Sequence, residues 1–346
     1  MSGFRPVFML GAGAIVRDAH LPAYRLAGIP VAGLFDLDRG RAESLAAAMP
    51  GATAFADRDD LLAAARDAGG IVDVALPPGA LDETLRAVPE GSFVLVQKPF
   101  GSTLTEATSL LEVGKRRRIR GAVNFQLRHA PAIVALRELL RSGAIGEPID
   151  LEIRVVCRMP WATWPFLLDR PRMEILVHSI HYLDLARALF GEPERVWCGA
   201  AGDPREPRLA ETRSTSILAF PHGKRAVITT YHHHEAPSRH DASHLRVEGT
   251  RGTAVVRLGV NLDYPVGRAD ALEVSSDGGP WREIPLAGNW FPHAFAGSMI
   301  AMQDLARGRR DAIESEFADA WRTMALVETC YTSAARGERP PEPPPP

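Results

Sequence analysis

The sequence predicts an α/β fold in which a doubly wound parallel sheet is followed by an α+β domain with a large, open, mostly antiparallel sheet. In the first third of the chain, short apolar runs alternate with amphipathic helical stretches, which is the pattern of parallel βαβ units. From about Ile149 the pattern changes to runs rich in Val, Ile and Thr separated by turns, which is typical of antiparallel sheets. A chain of 346 residues is also long for one hydrophobic core. We therefore predict a first domain over residues 1–125, a second over 126–338 and a Pro-rich tail over 339–346.

The first domain is predicted to consist of parallel strands connected by helices of ordinary length. The strands are predicted at Val7–Leu10, Val31–Phe35, Ala52–Phe55, Ile71–Leu76, Phe93–Gln97 and Gly121–Phe125. One helix is expected to open after the turn at Gly11 to Ala14, and the others at Arg39–Ala48, Asp59–Ala68, Ala80–Val88 and Thr103–Arg117. Ligands of such sheets bind outside the carboxyl ends of the strands, so the loops there are expected to line a crevice.

The second domain is predicted to combine one internal helix, an antiparallel sheet and two closing helices. The strands are predicted at Arg195–Gly199, Ser214–Phe220, Arg225–His232, His244–Glu248, Ala254–Leu258 and Ala271–Ser275. The internal helix is predicted over Met173–Phe190, and the closing helices at about Phe295–Ala306 and Glu316–Ala335.

Two glycines end the first apolar run and predict a dinucleotide site. Gly11 permits a tight turn, and Gly13 lets the backbone approach a pyrophosphate whose charge lies at a helix N-terminus. Asp36 lies 20 residues after Val16, where a carboxylate can accept hydrogen bonds from the adenosine ribose hydroxyls. Val16 replaces the third glycine of the full fingerprint, so the helix must pack against the strand differently. The order of strand, turn, helix, strand and acid favours a Rossmann-type site.

The choice between the two nicotinamide cofactors depends on three charged residues. Asp36 is expected to repel a 2′-phosphate, which favours NAD. Arg39 and Arg41 lie near enough in the sequence to hold such a phosphate, so NADP stays the alternative.

Charge and cysteine content bear on the partners and the compartment. The 40 basic and 42 acidic residues give a formal net charge of -2, so a nucleic-acid partner is not expected. No apolar stretch approaches the length of a membrane span, and no membrane partner is expected. Cys157, Cys198 and Cys330 are widely spaced and odd in number, which indicates reduced thiols and a cytoplasmic location.

Lys98 and the internal helix carry the candidate chemistry. Lys98 lies between a strand and Pro99, so its ammonium is expected at the carboxyl edge of the sheet, where it can polarise a substrate oxygen; an ordinary strand-end lysine is the alternative. Spacings of four and three place Glu174, His178 and His181 on one stripe of an apolar helix. Histidine can accept and return a proton near neutral pH, as alcohol oxidation requires, although a hydrogen-bonded structural histidine is the alternative.

Other readings of these residues stay open. The helical stripe combines imidazole and carboxylate groups that can meet on one metal ion, but its spacing matches no known metal motif, and we assign no metal site. A second run, His232 to His234, is predicted on a strand with His233 facing away from its neighbours, as on a polar sheet face or a subunit interface. Trp161 and Trp164 flank a turn before the helix and suit the apolar face of a sugar ring or packing at a domain junction.

Taken together, these motifs resemble the glucose-fructose oxidoreductase, inositol dehydrogenase and MocA family (Gfo/Idh/MocA), from about residue 4 to residue 335. The resemblance implies a nucleotide-binding domain and a substrate domain whose open sheet often mediates oligomers. It also implies hydride transfer between a sugar, polyol or cyclitol hydroxyl and a nicotinamide. The matching motifs are Gly11-Ala12-Gly13, Phe35-Asp36, Pro77-Pro78, Gln97-Lys98-Pro99, Asn124 with Arg128-His129-Ala130-Pro131, and His181-Tyr182-Leu183-Asp184.

By this resemblance Lys98 polarises the reacting oxygen and His181 is the acid/base. His178, on the same helix face, is a further catalytic candidate that the resemblance itself does not supply. The partners expected are a carbohydrate-like substrate and further copies of the chain, as a dimer or tetramer formed through the C-terminal sheet. Cofactor contacts are expected from Gly11, Gly13, Ala14, Ile15, Asp36, Leu76, Pro77, Gln97, Lys98 and Asn124. Substrate contacts are expected from Lys98, Trp161, Trp164, Arg172, His178 and His181.

The chain departs from the family pattern at three positions near this chemistry. Val177 stands where relatives often carry an aspartate, Ser179 where they carry a glycine, and Gln97 where they carry a glutamate. Two other functions therefore stay open. One is a non-catalytic dinucleotide-binding sensor or regulator, and the other is a metal-assisted lyase or hydrolase that uses Glu174, His178 and His181.

Overall fold

A computed structural model of the chain describes residues 3–264 and 266–336, which form two β-sheets with helices packed on them. The predicted Pro-rich tail, 339–346, lies outside the described residues. In the described ranges no helix has both the length and the apolarity of a membrane span.

The first sheet is six-stranded and all its described pairings are parallel. Its strand order is β3-β2-β1-β4-β5-β6, so the order reverses between β1 and β4. A ligand crevice is expected at such a switch point, outside the carboxyl ends of the strands. The strands are β1 (Val7–Leu10), β2 (Val31–Phe35), β3 (Thr53–Ala54), β4 (Ile71–Val74), β5 (Phe93–Gln97) and β6 (Arg120–Asn124).

Helices cover both faces of this sheet, as the alternating pattern predicts. Side chains of Asp38, Asp57 and Thr103 accept hydrogen bonds from backbone N–H groups at the starts of three of them, which satisfies donors that the helix leaves free. The helices of this part are α1 (Leu21–Ala27), α2 (Arg39–Ala47), α3 (Arg58–Asp67), α4 (Leu81–Ala87) and α5 (Leu104–Arg116).

The second sheet is eight-stranded and mixed. Its strands are β7 (Pro148–Val156), β8 (Arg195–Ala201), β9 (Arg213–Ala219), β10 (Arg225–Tyr231), β11 (Ala242–Gly249), β12 (Gly252–Arg257), β13 (Ala271–Ser276) and β14 (Arg282–Glu283). Their order is β14-β13-β12-β11-β7-β10-β9-β8, with β10 and β7 as the one described parallel pair, which confirms the expected large, mostly antiparallel sheet. Alternate side chains of the central strands are buried, so one face packs on a core and the other faces outward.

Four further helices follow the first sheet in the chain. They are α6 (Pro131–Arg141), α7 (Ile180–Phe190), α8 (His293–Ala306) and α9 (Phe317–Arg336). Although α8 follows the second sheet in the chain, its Phe295 and Met299 share a buried core with Met9 of β1. A helix that follows the second sheet in the chain therefore helps to build the first sheet's core.

The structure differs from the predicted elements in two places that matter for the site. The single helix predicted over Met173–Phe190 is divided into a π-helical segment, Glu174–Ser179, and α7. A second π-helical segment, Val16–His20, follows the glycine turn and precedes α1. A π-helix widens the backbone by about one residue per turn and is frequent at functional sites. Strands β7 and β14 and helix α6 have no counterpart among the elements predicted from the sequence.

Candidate active site

The glycine turn leaves open space at the carboxyl end of β1. Gly11 has φ +102°, and a Cβ there would lie 2.4 Å from the carbonyl oxygen of Ala75, so the position requires glycine. A Cβ on Gly13 would meet no atom within 4 Å. Gly13 thus borders a cradle with room for a pyrophosphate at the start of a helical segment. Ala14, Ile15 and Leu76 are half-buried around it, and Pro77 is exposed.

Asp36 holds the turn and faces the same crevice. One carboxylate oxygen accepts a hydrogen bond from the N–H of Ala12 at 2.7 Å, and the other accepts one from the N–H of Asp38 at 2.8 Å. The two nearby guanidinium groups are already paired, because Arg39 contacts Glu43 at 2.7 Å and Arg41 contacts Asp38 at 3.0 Å.

Two buried amides end neighbouring strands at this edge of the sheet. Gln97 of β5 and Asn124 of β6 are paired in register. Ser298 donates a hydrogen bond to Oδ1 of Asn124 at 2.7 Å, whereas Oε1 of Gln97 and Nδ2 of Asn124 are buried without a hydrogen-bond partner. A buried amide atom left unpaired costs about 1–3 kcal/mol. One free acceptor and one free donor fit a ligand that carries a carboxamide, as nicotinamide does.

Lys98 follows Gln97 and reaches the π-helical segment. Its Nζ donates a hydrogen bond to the carbonyl oxygen of Val177 at 2.7 Å. Burial lowers the pKa of Lys98 from 10.5 to about 8, and no carboxylate contributes to that shift. At neutral pH Lys98 is therefore a charged donor held by a neutral oxygen.

His178 directly follows the residue that binds Lys98, and His181 lies one turn further along the chain. Burial lowers the pKa of His181 well below its usual value, and the positive charge of Lys98 lowers it further. Burial also lowers the pKa of His178, with further contributions from His232 and Lys98. Both imidazoles are thus neutral at pH 7 and able to accept a proton, and Nδ1 of each is buried without a hydrogen-bond partner.

His232, which the sequence analysis did not assign to the site, packs directly against His178. The two rings are stacked with centroids 4.3 Å apart, and Nδ1 of His232 lies 2.9 Å from both carboxylate oxygens of Glu174. The alternation of β10 contained the signal for this placement. Ala226, Ile228 and Thr230 are buried on the inner face, and His232 continues that series.

Ser179, one of the departures from the family pattern, supports Glu174. Its hydroxyl donates to Oε1 of Glu174 at 3.0 Å and also contacts the hydroxyls of Ser214 and Thr230. Glu174 is fully buried, so this network provides the polar contacts that a buried carboxylate requires.

Of the three other predicted substrate residues, only Trp161 has a described contact with a histidine of the predicted helical stripe. Its ring lies edge-on to that of His178, with ring centroids 5.4 Å apart, and its indole N–H donates to Nδ1 of His233. Trp164 packs against Tyr264 instead, with ring centroids 5.1 Å apart.

Arg172 is engaged away from the histidines. Its guanidinium donates two hydrogen bonds to Glu328, at 2.6 and 2.8 Å, and lies over the ring of Tyr331. Its contact with a substrate stays a prediction.

A buried ion cluster fixes α7 in place. Arg128 donates two hydrogen bonds to Asp184, at 2.7 and 2.6 Å, and also pairs with Asp319 of α9 at 2.8 Å. Thr323 donates a third hydrogen bond to Asp184. The motifs that contain Arg128 and Asp184 thus meet although they are far apart in the sequence. Their contact lies one turn beyond His181 and orients the helix that carries it.

The strand order and the glycine turn define a protein with a Rossmann-type parallel sheet. The family model described as an oxidoreductase family with an NAD-binding Rossmann fold matches residues 5–125, and the GFO/IDH/MocA C-terminal domain model matches residues 133–255. The chain belongs to the Gfo/Idh/MocA family and is an NAD(P)-dependent dehydrogenase.

Individual relatives agree with this assignment. The D-apiose dehydrogenase of Paraburkholderia graminis is 27% identical over 343 residues, covering 95% of this chain and 87% of its own. The inositol 2-dehydrogenase of Mycolicibacterium gilvum is 33% identical over 193 residues, covering 54% and 52%. An Agrobacterium radiobacter oxidoreductase, solved in complex with NAD+, L-tartaric acid and magnesium, has a TM-score of 0.80 at 22% identity and covers 96% of this chain and 97% of its own. This last likeness supports the fold.

Proposed function

We propose that the protein transfers hydride between a hydroxyl of a sugar, polyol or cyclitol and NAD, with Lys98 polarising the reacting oxygen and His181 moving the proton. The observation that carries the proposal is the position of Lys98 at the carboxyl edge of the sheet, where its Nζ donates a hydrogen bond to the carbonyl oxygen of Val177, one turn before the buried His181. The charge of Lys98 also lowers the pKa of His181. Nicotinamide, when bound, accepts the hydride. The names of the relatives, D-apiose and inositol dehydrogenases, support a carbohydrate-like substrate.

The residues divide the proton chemistry between them. The Lys98 ammonium donates to the substrate oxygen and stabilises the negative charge that develops as its proton leaves. His181, neutral at pH 7, accepts that proton and returns it in the reverse direction. His178 assists from the preceding turn, and Trp161 beside it offers an apolar wall for a sugar ring.

NAD is the cofactor that the charges around Asp36 favour. A 2′-phosphate would meet the carboxylate of Asp36, and Arg39 and Arg41 would have to leave Glu43 and Asp38 to bind it. Gln97 and Asn124 supply the unpaired amide atoms proposed to hold the carboxamide.

We further propose that the protein forms a homo-oligomer through the outward face of the second sheet. Trp197 and Ile217 are cross-strand partners on this face and are 51% and 38% exposed. Val227 is the partner of Ile217 on the next strand, so an apolar row crosses three strands. Exposed apolar rows of this kind mark contact surfaces.

A substrate panel tests the activity. Polyols, aldoses and sugar acids are offered with NAD and with NADP, and the absorbance of the reduced cofactor is followed. With an active substrate, His181→Gln is expected to lower kcat by about 10²-fold or more while nucleotide affinity is kept. His240→Gln, an exposed histidine, is the matched control. Nucleotide binding without turnover on any substrate would favour the sensor, and full activity of His181→Gln would exclude the assigned role.

A further inference from the structure

Glu174, His178 and His232 form a compact group of potential metal ligands inside the site. One donor atom from each side chain lies within 4.8 Å of the other two. Oε2 of Glu174 is 2.9 Å from Nδ1 of His232 and 3.8 Å from Nδ1 of His178. The group joins the π-helical segment to the end of β10, so the tertiary fold assembles it.

The spacing of these donors suits a small divalent ion. Zn²⁺ binds imidazole nitrogen and carboxylate oxygen at about 2.0–2.2 Å, and in tetrahedral geometry two such ligands lie roughly 3.4 Å apart. The two observed separations, 2.9 and 3.8 Å, lie on either side of that value. Binding requires the two rings, now 24° from parallel, to turn their nitrogens toward a common point.

Three further observations indicate a ligand rather than simple packing. Nδ1 of His178 is buried and has no hydrogen-bond partner, although it faces the Glu174 carboxylate. Glu174 is fully buried and brings a negative charge that a cation would balance. Ser179 donates to the other carboxylate oxygen, which is how an outer contact orients a metal-binding carboxylate.

We propose that Glu174, His178 and His232 bind one divalent transition-metal ion, for which two imidazoles and a carboxylate favour Zn²⁺. The ligand set differs from the helical stripe considered from the sequence, because His232 takes the place of His181. Three protein ligands leave a fourth coordination position for water or a substrate oxygen. The site does not depend on the proposed hydride transfer.

Metal binding is measured on the purified full chain without nucleotide or substrate. The protein is freed of metal with a chelator, dialysed against Zn²⁺, and assayed for bound metal by mass spectrometry. Co²⁺ is used in parallel, because its visible absorption reports the ligands. We expect one ion per chain, a Zn²⁺-dependent rise in Tm, and at least about 100-fold weaker binding in Glu174→Gln and in His178→Ala.

The controls separate this site from general histidine binding and from misfolding. His234→Ala removes a neighbouring histidine outside the group and is expected to bind as the wild type does. Glu174→Gln keeps the side-chain shape, and circular dichroism checks that each variant is folded. If Glu174→Gln does not fold, His178→Ala and His232→Ala decide the question. Absence of a bound ion in the wild type, or equal binding in the ligand variants and His234→Ala, overturns the proposal.

Discussion

The low pKa of Lys98 predicts a specific loss of activity at alkaline pH. With a pKa of about 8, roughly nine-tenths of the amine is charged at pH 7 and one-tenth at pH 9. If the charged form stabilises the reacting oxygen, kcat/KM should fall about tenfold between these two pH values. His181 titrates well below neutrality, so the plateau should extend into the acid range.

Lys98→Arg tests whether Lys98 causes that loss. Arginine stays protonated throughout this range, so the alkaline fall should disappear even if the larger side chain lowers the absolute rate. Initial rates are measured from pH 6 to 10 at fixed ionic strength, with the active substrate from the panel and the reduced cofactor as the readout. Lys98→Met should lose most activity at every pH. If Lys98→Arg keeps the same alkaline fall as the wild type, another group titrates there and the argument fails.

The same shift has a consequence for stability. The pKa of Lys98 is about 8 in the folded chain, against an ordinary value of 10.5, so between these pH values the unfolded chain binds a proton that the folded chain has released. The contribution of Lys98 to the free energy of unfolding therefore rises with pH in this window. At pH 7 the charge is present in both states and burying it costs free energy, so Lys98→Met should stabilise the fold by up to about 3 kcal/mol. Urea unfolding of the wild type and of Lys98→Met should show a larger free energy of unfolding for the variant at pH 7, and a smaller difference between the two at pH 10.5. An advantage that is absent at pH 7, or that grows with pH, would contradict this account.

Three further predictions concern the helix, the cofactor and the assembly. Asp184→Asn should lower the free energy of unfolding by about 3 kcal/mol, because Arg128 loses its charged partner inside the core, and urea titration measures it; a loss below 1 kcal/mol would show that Asp319 alone holds Arg128. Asp36→Ala should weaken NAD binding by about 10–100-fold and reduce the ratio of NAD affinity to NADP affinity, both measured by titration calorimetry. An unchanged affinity ratio would show that other residues determine the choice of cofactor. Trp197→Asp should reduce the mass in light scattering if the outward sheet face joins subunits; an unaltered mass would point to another interface.

Particular residues show how far the sequence predicts this site. The positions of the glycine turn, Asp36 and Lys98 could be predicted from the sequence because each directly follows a strand. The carboxyl ends of the strands in a parallel sheet lie at one edge. The alternation of β10 contains the signal for His232, but the sequence alone predicts a polar sheet face or a subunit interface there, because the partner Glu174 lies 58 residues away. The contact of Lys98 with Val177 could not be predicted, because its acceptor is a backbone carbonyl, an atom that every residue carries.

The departures from the family pattern form one connected change. By the resemblance drawn from the sequence, Val177 stands where family members often carry an aspartate, four residues before His181. In this chain the backbone carbonyl of Val177 accepts a hydrogen bond from Lys98. The carboxylate of this helix is instead that of Glu174, held by Ser179 and paired with His232. Because the Glu174 carboxylate contacts histidine rather than lysine, no carboxylate offsets the desolvation of Lys98. The chain thus has an ammonium without a carboxylate partner at the proposed reacting oxygen, and the carboxylate of this helix lies among the residues proposed to bind a cation.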